Sequence, residues 1–452
     1  MNPKLFRLPI IAAFAAAVSS AAVAPTADGK VFEPKTFTLE NGLQVVVVEN
    51  HRAPVVTHMV WYKAGSADEK AGHTGIAHFL EHLMFKGTKT VPPGAFSAEV
   101  ARFGGDENAF TTTDYTTYFQ SVSADHLEDV MRLEADRMAN LVLTDEEVLP
   151  ERDVILEERR QRIDNEPGSQ LAEMMRAALF LNHPYRMPTI GWANEMRELT
   201  TADALDWYGH WYAPNNATLV IVGDVTAEQV RPLAEKYYGV IPKKDVPQRM
   251  RPQEPAQFAP RRVVMESSKV QQGQWSRQYQ APSYRLDPDK DAYALEVLAE
   301  IMGGSTTSRL YRRLVVDDRI ASGAGAYYDA DNYDLSVFGV YAVPPPESGP
   351  EKAESAIDEE IARLLRDGVT EEEVAAAKKS MLNDAIKARD SLQAPARIIG
   401  TALSTGSTIE DIESWPDRIS AVTAAQVKAA AEHVLKINYS VTGILLPKGD
   451  GQ

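Results

Sequence analysis

The chain has 452 residues, 44% of them hydrophobic and 25% charged, and no cysteine. At roughly 150 residues per domain this length allows two to four domains, and the apolar fraction excludes a disordered chain, a collagen-like repeat or a disulfide scaffold. Without cysteine there is no zinc ribbon, iron–sulfur cluster, thiol nucleophile or lipidated Cys, and the net charge of −17, from 64 acidic and 47 basic residues, argues against a nucleic-acid partner. Metal ligands must come from His, Asp or Glu.

Lys4 and Arg7 precede an apolar run over 8–18 and small residues from Ser19 to Ala22. This pattern predicts a signal peptide over 1–22, cut after Ala21 or Ala22. The run is too short to span a hydrocarbon core of ~30 Å, so the mature chain is expected in the periplasm or secreted, with no stable membrane insertion. A domain over 30–241 follows. In it, Asn41-Gly42 between two apolar runs predicts a hairpin, and a third strand is expected over 55–64. Residues 74–84 have helical spacing, 97–103 form a short helix stopped by Gly104-Gly105, and a Thr- and Tyr-rich β segment covers 109–122. Helices are expected over 125–140, 145–165, 168–181 and 201–211, then an apolar strand over 217–222.

Five prolines between Pro242 and Pro260 mark a semi-rigid linker over 242–260. After it the order of elements begins again, in a second domain over 261–450. A strand is expected over 274–280, a helix over 291–302 ending at Gly303-Gly304, β segments over 324–338 and helices from Glu351 on. Residues 422–446 echo 199–223: Thr, a helix, then an apolar strand. The fold class is therefore α+β, built as two homologous α/β-sandwich halves, each a mixed sheet flanked by helices.

The chemistry lies in His78-Phe79-Leu80-Glu81-His82. Positions i and i+4 share a helix face about 6 Å apart, so both imidazoles can reach one ion. Glu81 sits beside them, placed to take a proton from water made acidic by zinc. H-x-x-E-H is a recognised zinc-peptidase spacing, although a bare match also describes two histidines on an ordinary helix face.

The surroundings of this motif are specific. Gly65-Ser66-Ala67-Asp68-Glu69 through Gly75-Ile76-Ala77-His78-Phe79-Leu80-Glu81-His82-Leu83-Met84-Phe85-Lys86-Gly87-Thr88 resembles the signature of the pitrilysin/insulinase-like zinc peptidases. These include the mitochondrial processing peptidase and shorter bacterial relatives. The likeness continues through Gly104-Gly105, Asn108-Ala109, Thr111, Asp114, Thr116, Tyr118, Arg152-Asp153-Val154-Ile155 and His183-Pro184-Tyr185. It implies one Zn²⁺ per chain, held by His78, His82 and a Glu on a later helix, which falls on Glu158 with Glu157 as its competitor. Glu151, two turns before Glu158, matches a supporting Glu that would orient a His ligand. Asn108, Ala109 and Phe110, on an expected edge strand, would hold an extended peptide substrate by strand addition. His58, His73, His183 and Trp211 read as structural.

The second half departs from the pattern. Leu295, Leu298 and Ala299 stand where the first half has its His, Glu and His. The Arg and Tyr with which single-chain relatives stabilise substrate and oxyanion fall on Val315 and Ser322, while Arg313 and Tyr327 have the wrong spacing. The resemblance thus implies a zinc endopeptidase forming half of a clamshell, with Glu81 as general base, completed by a related zinc-lacking subunit or by a second copy. The other reading is a non-catalytic scaffold or peptide-binding subunit.

Overall fold

The computed structural model describes residues 30–287, 291–346 and 349–448; the expected export signal lies outside them. The first sheet has six strands: β1 (Lys35–Thr38), β2 (Gln44–Glu49), β3 (Val55–Tyr62), β4 (Asp106–Thr111), β5 (Thr116–Ser123) and β6 (Ala217–Gly223). Their order is β1-β2-β6-β3-β5-β4, with β6 parallel to β2 and antiparallel to β3. The Asn41-Gly42 turn joins β1 to β2 with Gly42 at φ 91°, in the left-handed region that glycine tolerates. β4 pairs only with β5 and is an edge.

The second sheet contains β7 (Arg261–Ser267), β8 (Gln274–Ala281), β9 (Gly323–Tyr328), β10 (Ser336–Val343) and β11 (Ser440–Pro447), in the order β7-β11-β8-β10-β9. β11 is parallel to β7 and antiparallel to β8. Strand for strand this is the first sheet without β1, so the sequence echo is a repeated topology. β7 was not legible as a strand. Its side chains alternate between half-buried and exposed, so it lacks the apolar run that marks β2.

Each half packs its own helices on one face of its sheet, and the opposite faces are covered by exchange. The helix Pro167–Leu179, from the first half, lays Leu171, Met175 and Leu179 against Val441 and Leu445 of the second sheet. The helix Gln393–Thr405, from the second half, lays Ala396, Ile399 and Ala402 against Val46, Met59, Trp61 and Val220 of the first. The approach is close. A Cβ on Gly443 would lie 2.0 Å from Met175 Sδ, and one on Gly400 would lie 1.9 Å from Trp61 Cε2. Glycine is the residue that lets both crossings form.

Residues 242–260, expected as a linker, run without helix or strand but are clamped in place. Arg251 donates to Asp68 Oδ1 (2.7 Å) and Asp114 Oδ1 (2.8 Å), and Arg249 donates to the Asp114 carbonyl (2.7 Å) and the Ser404 carbonyl (2.9 Å). The ion pairs are almost wholly buried, where loss of one partner costs on the order of 3–5 kcal/mol. Among the described residues, no helix is long and apolar enough to cross a membrane.

Candidate metal centre

The motif lies on the helix Ile76–Leu83. Gly75 begins it at φ 90°, and the Glu69 carboxylate accepts from the Gly75 and Ala77 amides at 2.9 and 3.0 Å. Those are N-terminal donors that a helix leaves unpaired, and an anion there is favoured by the helix dipole. Ile76, Phe79, Leu80 and Leu83 anchor the helix in the first core, so His78, Glu81 and His82 emerge together on the remaining face. The helix Asp145–Arg159 crosses behind and presents Glu151 and Glu158. They are two turns apart and both face His82.

His82 Nδ1 lies 2.8 Å from Glu151 Oε1, and Lys86 Nζ lies 2.5 Å from Glu151 Oε2. On the other side of the ring, His82 Nε2 lies 3.3 Å from Glu158 Oε2, and His78 Nε2 lies 3.8 Å from the same oxygen. Glu158 Oε1 is held by Arg162 Nη1 at 2.6 Å. A donor atom from each of His78, His82 and Glu158 lies within 4.8 Å of the others. Ligands about 2.0–2.1 Å from a tetrahedral zinc stand roughly 3.3 Å apart, so the donor set of two imidazoles and one carboxylate fits zinc after a small contraction. Glu157, the competing ligand, points away and pairs with Arg160 and Gln161.

Without metal the charges sort clearly. Burial and the adjacent His82 push His78 down to about 4, so it is neutral at pH 7. Burial pulls His82 down too, but its bonds to Glu151 and Glu158 outweigh that and raise it to about 9. Glu151 is held down at about 2 by His82 and Lys86, against the opposing effect of burial. Glu158 is also lowered, first by His82. Glu81 is pushed up by burial, against the hydrogen bond that Thr111 Oγ1 donates to its Oε2 at 2.6 Å. A carboxylate with a raised pKa beside a metal locus is suited to carrying a proton.

His78, Glu81, His82 and Glu158 open into a cavity of about 590 Å³ that Asn108, Ala109, Phe110 and Thr111 also line. The Asn108 side chain accepts from the Ala109 amide at 2.8 Å. Phe110 is partly committed elsewhere, its ring edge-on to Trp61 with centroids 5.8 Å apart. Thr111 was legible as part of the family signature but not as the partner of Glu81. Arg162, Arg176 and Arg186 also line the cavity, and no spacing rule singled them out. His58 is buried between Gln120 and Tyr238, and His183 accepts from the Tyr185 amide and faces Asp334. His73 lies 3.4 Å from Asp203 on the surface, and Trp211 is buried in the first core.

In the second half Leu295 and Leu298 are wholly buried apolar core. Val315 packs against that core, and Ser322 Oγ donates to the Val343 carbonyl at 3.2 Å. Arg313 is taken by Asp318, Glu359 and Glu360, and the Tyr327 hydroxyl accepts from Gln278 at 2.8 Å. None of these four is among the residues lining the cavity of His78 and His82.

Known proteins share this fold. The family description "Insulinase (Peptidase family M16)" matches residues 44–192, and "Peptidase M16 inactive domain" matches residues 198–381. The zinc protease PqqE of Helicobacter pylori is 32% identical over 91% of this chain and 93% of its own. The crystal structure of a protease from Helicobacter pylori superposes with a TM-score of 0.86 at 31% identity, covering 92% of this chain and 99% of that one. The periplasmic protease PqqL from Escherichia coli shares the fold, with a TM-score of 0.79 at 22% identity over 91% of this chain but only 47% of its own. With both halves matched and the likeness running nearly end to end, the chain belongs to the insulinase-like peptidase family M16.

Proposed function

We propose that the chain is a zinc-dependent endopeptidase acting on peptides or unfolded segments, with His78, His82 and Glu158 as ligands. The observation that carries this is the convergence of three donor atoms within 4.8 Å beside Glu81, in a cavity that reaches the free edge of β4. Zinc in that position would supply Lewis acidity to the attacking water and the scissile carbonyl. The chain's own groups do the rest. Glu81 takes the proton of the attacking water and passes it to the leaving amine. Thr111 holds the Glu81 carboxylate in place, and Glu151 fixes His82 with Nδ1 protonated so that Nε2 faces the ion. Asn108 and Ala109, on the edge strand, pair with the extended backbone of the substrate, with Phe110 beside them.

We also propose that the domain limits are 30–241 and 261–450, joined by 242–260. The active particle would be a pair, with a related zinc-lacking subunit supplying the Arg/Tyr pair that Val315 and Ser322 do not. PqqL, whose chain is about twice the span matched here, supports a clamshell of which this chain is half. The basic–apolar–small pattern of the first 22 residues supports delivery to the periplasm.

Zinc stoichiometry together with Glu81→Gln tests the central reading. The variant is expected to hold one zinc and to lose roughly 10²–10⁴-fold in peptide turnover. A chain that holds no zinc, or a variant that cleaves as fast as the parent with or without a partner, overturns it. The scaffold reading expects no measurable change.

A further inference from the structure

Arg176 differs from the more deeply buried arginines. Arg137 is paired with Glu134, Arg159 with Glu173, Arg251 with Asp68 and Asp114, and Arg277 with Glu354 and Asp358. Arg176 is half-buried on the helix Pro167–Leu179, and its guanidinium donates to Thr113 Oγ1 at 3.3 Å. Among the described residues it has no carboxylate partner in ion-pair range. Two carboxylates act on it only from a distance: Asp114, already committed to Arg249 and Arg251, and Asp329. Burial holds the Arg176 pKa below its usual value, the mark of a cation short of compensation.

Leaving a guanidinium poorly solvated and unpaired is costly, and its planar fork suits a carboxylate. Arg176 lines the same cavity as His78, Glu81, His82 and the β4 edge. Arg186 lines it too, donating to the Leu181 carbonyl at 2.8 Å while its buried Nε has no partner. Glu173 and Glu158 share the lining, but their carboxylates are already bound by Arg159 and Arg162.

We infer that Arg176 is a specificity-determining residue that receives a carboxylate of the bound peptide, so that the enzyme selects substrates with an acidic group near the cut bond. The inference rests on the peptidase reading above. The carboxylate comes either from an Asp or Glu side chain or from the peptide's C-terminus.

The test uses the full mature chain carrying Glu81→Gln and loaded with zinc, so that peptides bind without being cleaved. The probes are labelled decapeptides with one Glu moved through successive positions, each matched to its Gln counterpart, with free or amidated C-termini. At one position Glu is expected to bind about tenfold or more tighter than Gln, as a charged hydrogen bond in a half-buried site allows. If amidation rather than Gln abolishes the preference, the C-terminal carboxylate is the ligand. Adding Arg176→Gln brings the ratio close to one, Arg176→Lys retains part of it, and the exposed control Arg366→Gln leaves it intact. Zinc content and melting temperature show that each variant is folded. Peptides that bind with a Glu-to-Gln ratio near one everywhere and no C-terminal effect overturn the role of Arg176 alone, as does a ratio that survives Arg176→Gln. A chain that takes up no zinc overturns the peptidase reading, and this inference with it.

Discussion

Replacing Glu151 by Gln preserves the shape of the side chain and removes its charge, which isolates what that charge does for His82. The carboxyl is held at about 2, against an ordinary value of 4.5, and at 1.36 kcal/mol per unit this corresponds to about 3.4 kcal/mol of interaction. Two cations share it: His82 at 2.8 Å and Lys86 at 2.5 Å. The bond to His82 also raises the proton affinity of that imidazole, and the proton competes with zinc, so only the orienting part of the interaction counts: a loss on the order of tenfold is expected, at the low end of the 10–100-fold typical of groups that orient a ligand. Competition with a chromophoric chelator at pH 7.5 measures it, with Lys86→Met as the companion that spares the bond to His82. Zinc affinity within twofold of the parent refutes the orienting role. A loss matching that of His82→Ala refutes it in the other direction, because Glu151 would then behave as a ligand.

Three further outcomes are expected. Zinc binding to the chelated chain at pH 7.5 should release about one proton, because His82 is protonated up to about 9 without metal; calorimetry in buffers of different ionisation enthalpy measures it, and zero release contradicts the assignment. Glu296, which burial raises to about 7, binds its proton more tightly folded than unfolded. Its contribution to stability is therefore full below about 4.5 and lost as pH rises to about 7, a fall of about 3 kcal/mol at most. Denaturant titrations of Glu296→Gln should show a flatter dependence over that window, and an unchanged slope rejects the shift. Gly400→Ala forces a Cβ to 1.9 Å from the Trp61 ring and should destabilise by about 1–3 kcal/mol, read as a lowered melting temperature; an unchanged value means that the crossing is looser than described.

The sequence and the structure agree most closely where the information is local. The His-bearing helix follows from its spacing and from glycines at both ends, and β2 and β6 follow from the unbroken apolar runs Val45–Val48 and Leu219–Val222. Glu158 became a candidate only through the family likeness, because nothing in residues 155–158 distinguishes it from Glu157; only the rotation of the helix does. The helix Ala227–Tyr237 escaped notice because Pro232 interrupts its pattern, although Thr226 caps it through the Gln229 amide. Pro232 is the sixth of its eleven residues, past the first turn, so the helix forgoes a backbone hydrogen bond there. Residues 242–260 announced extended chain but not the buried Arg–Asp clamps, which depend on carboxylates more than a hundred positions away. Arg176 was invisible for the same reason. An unpaired charge is defined by its neighbours, and those are set by the tertiary fold.

The exchanged helices also couple the two halves mechanically. One side of the helix Pro167–Leu179 grips the second sheet through Met175, while its other side carries Glu173 and Arg176 into the cavity of His78 and His82. That wall of the cavity is thus bolted to the sheet that has no metal ligands of its own. Any shift of the second sheet would carry Arg176 with it relative to Glu81, so the half without metal ligands helps to fix the width of the cavity in the other half.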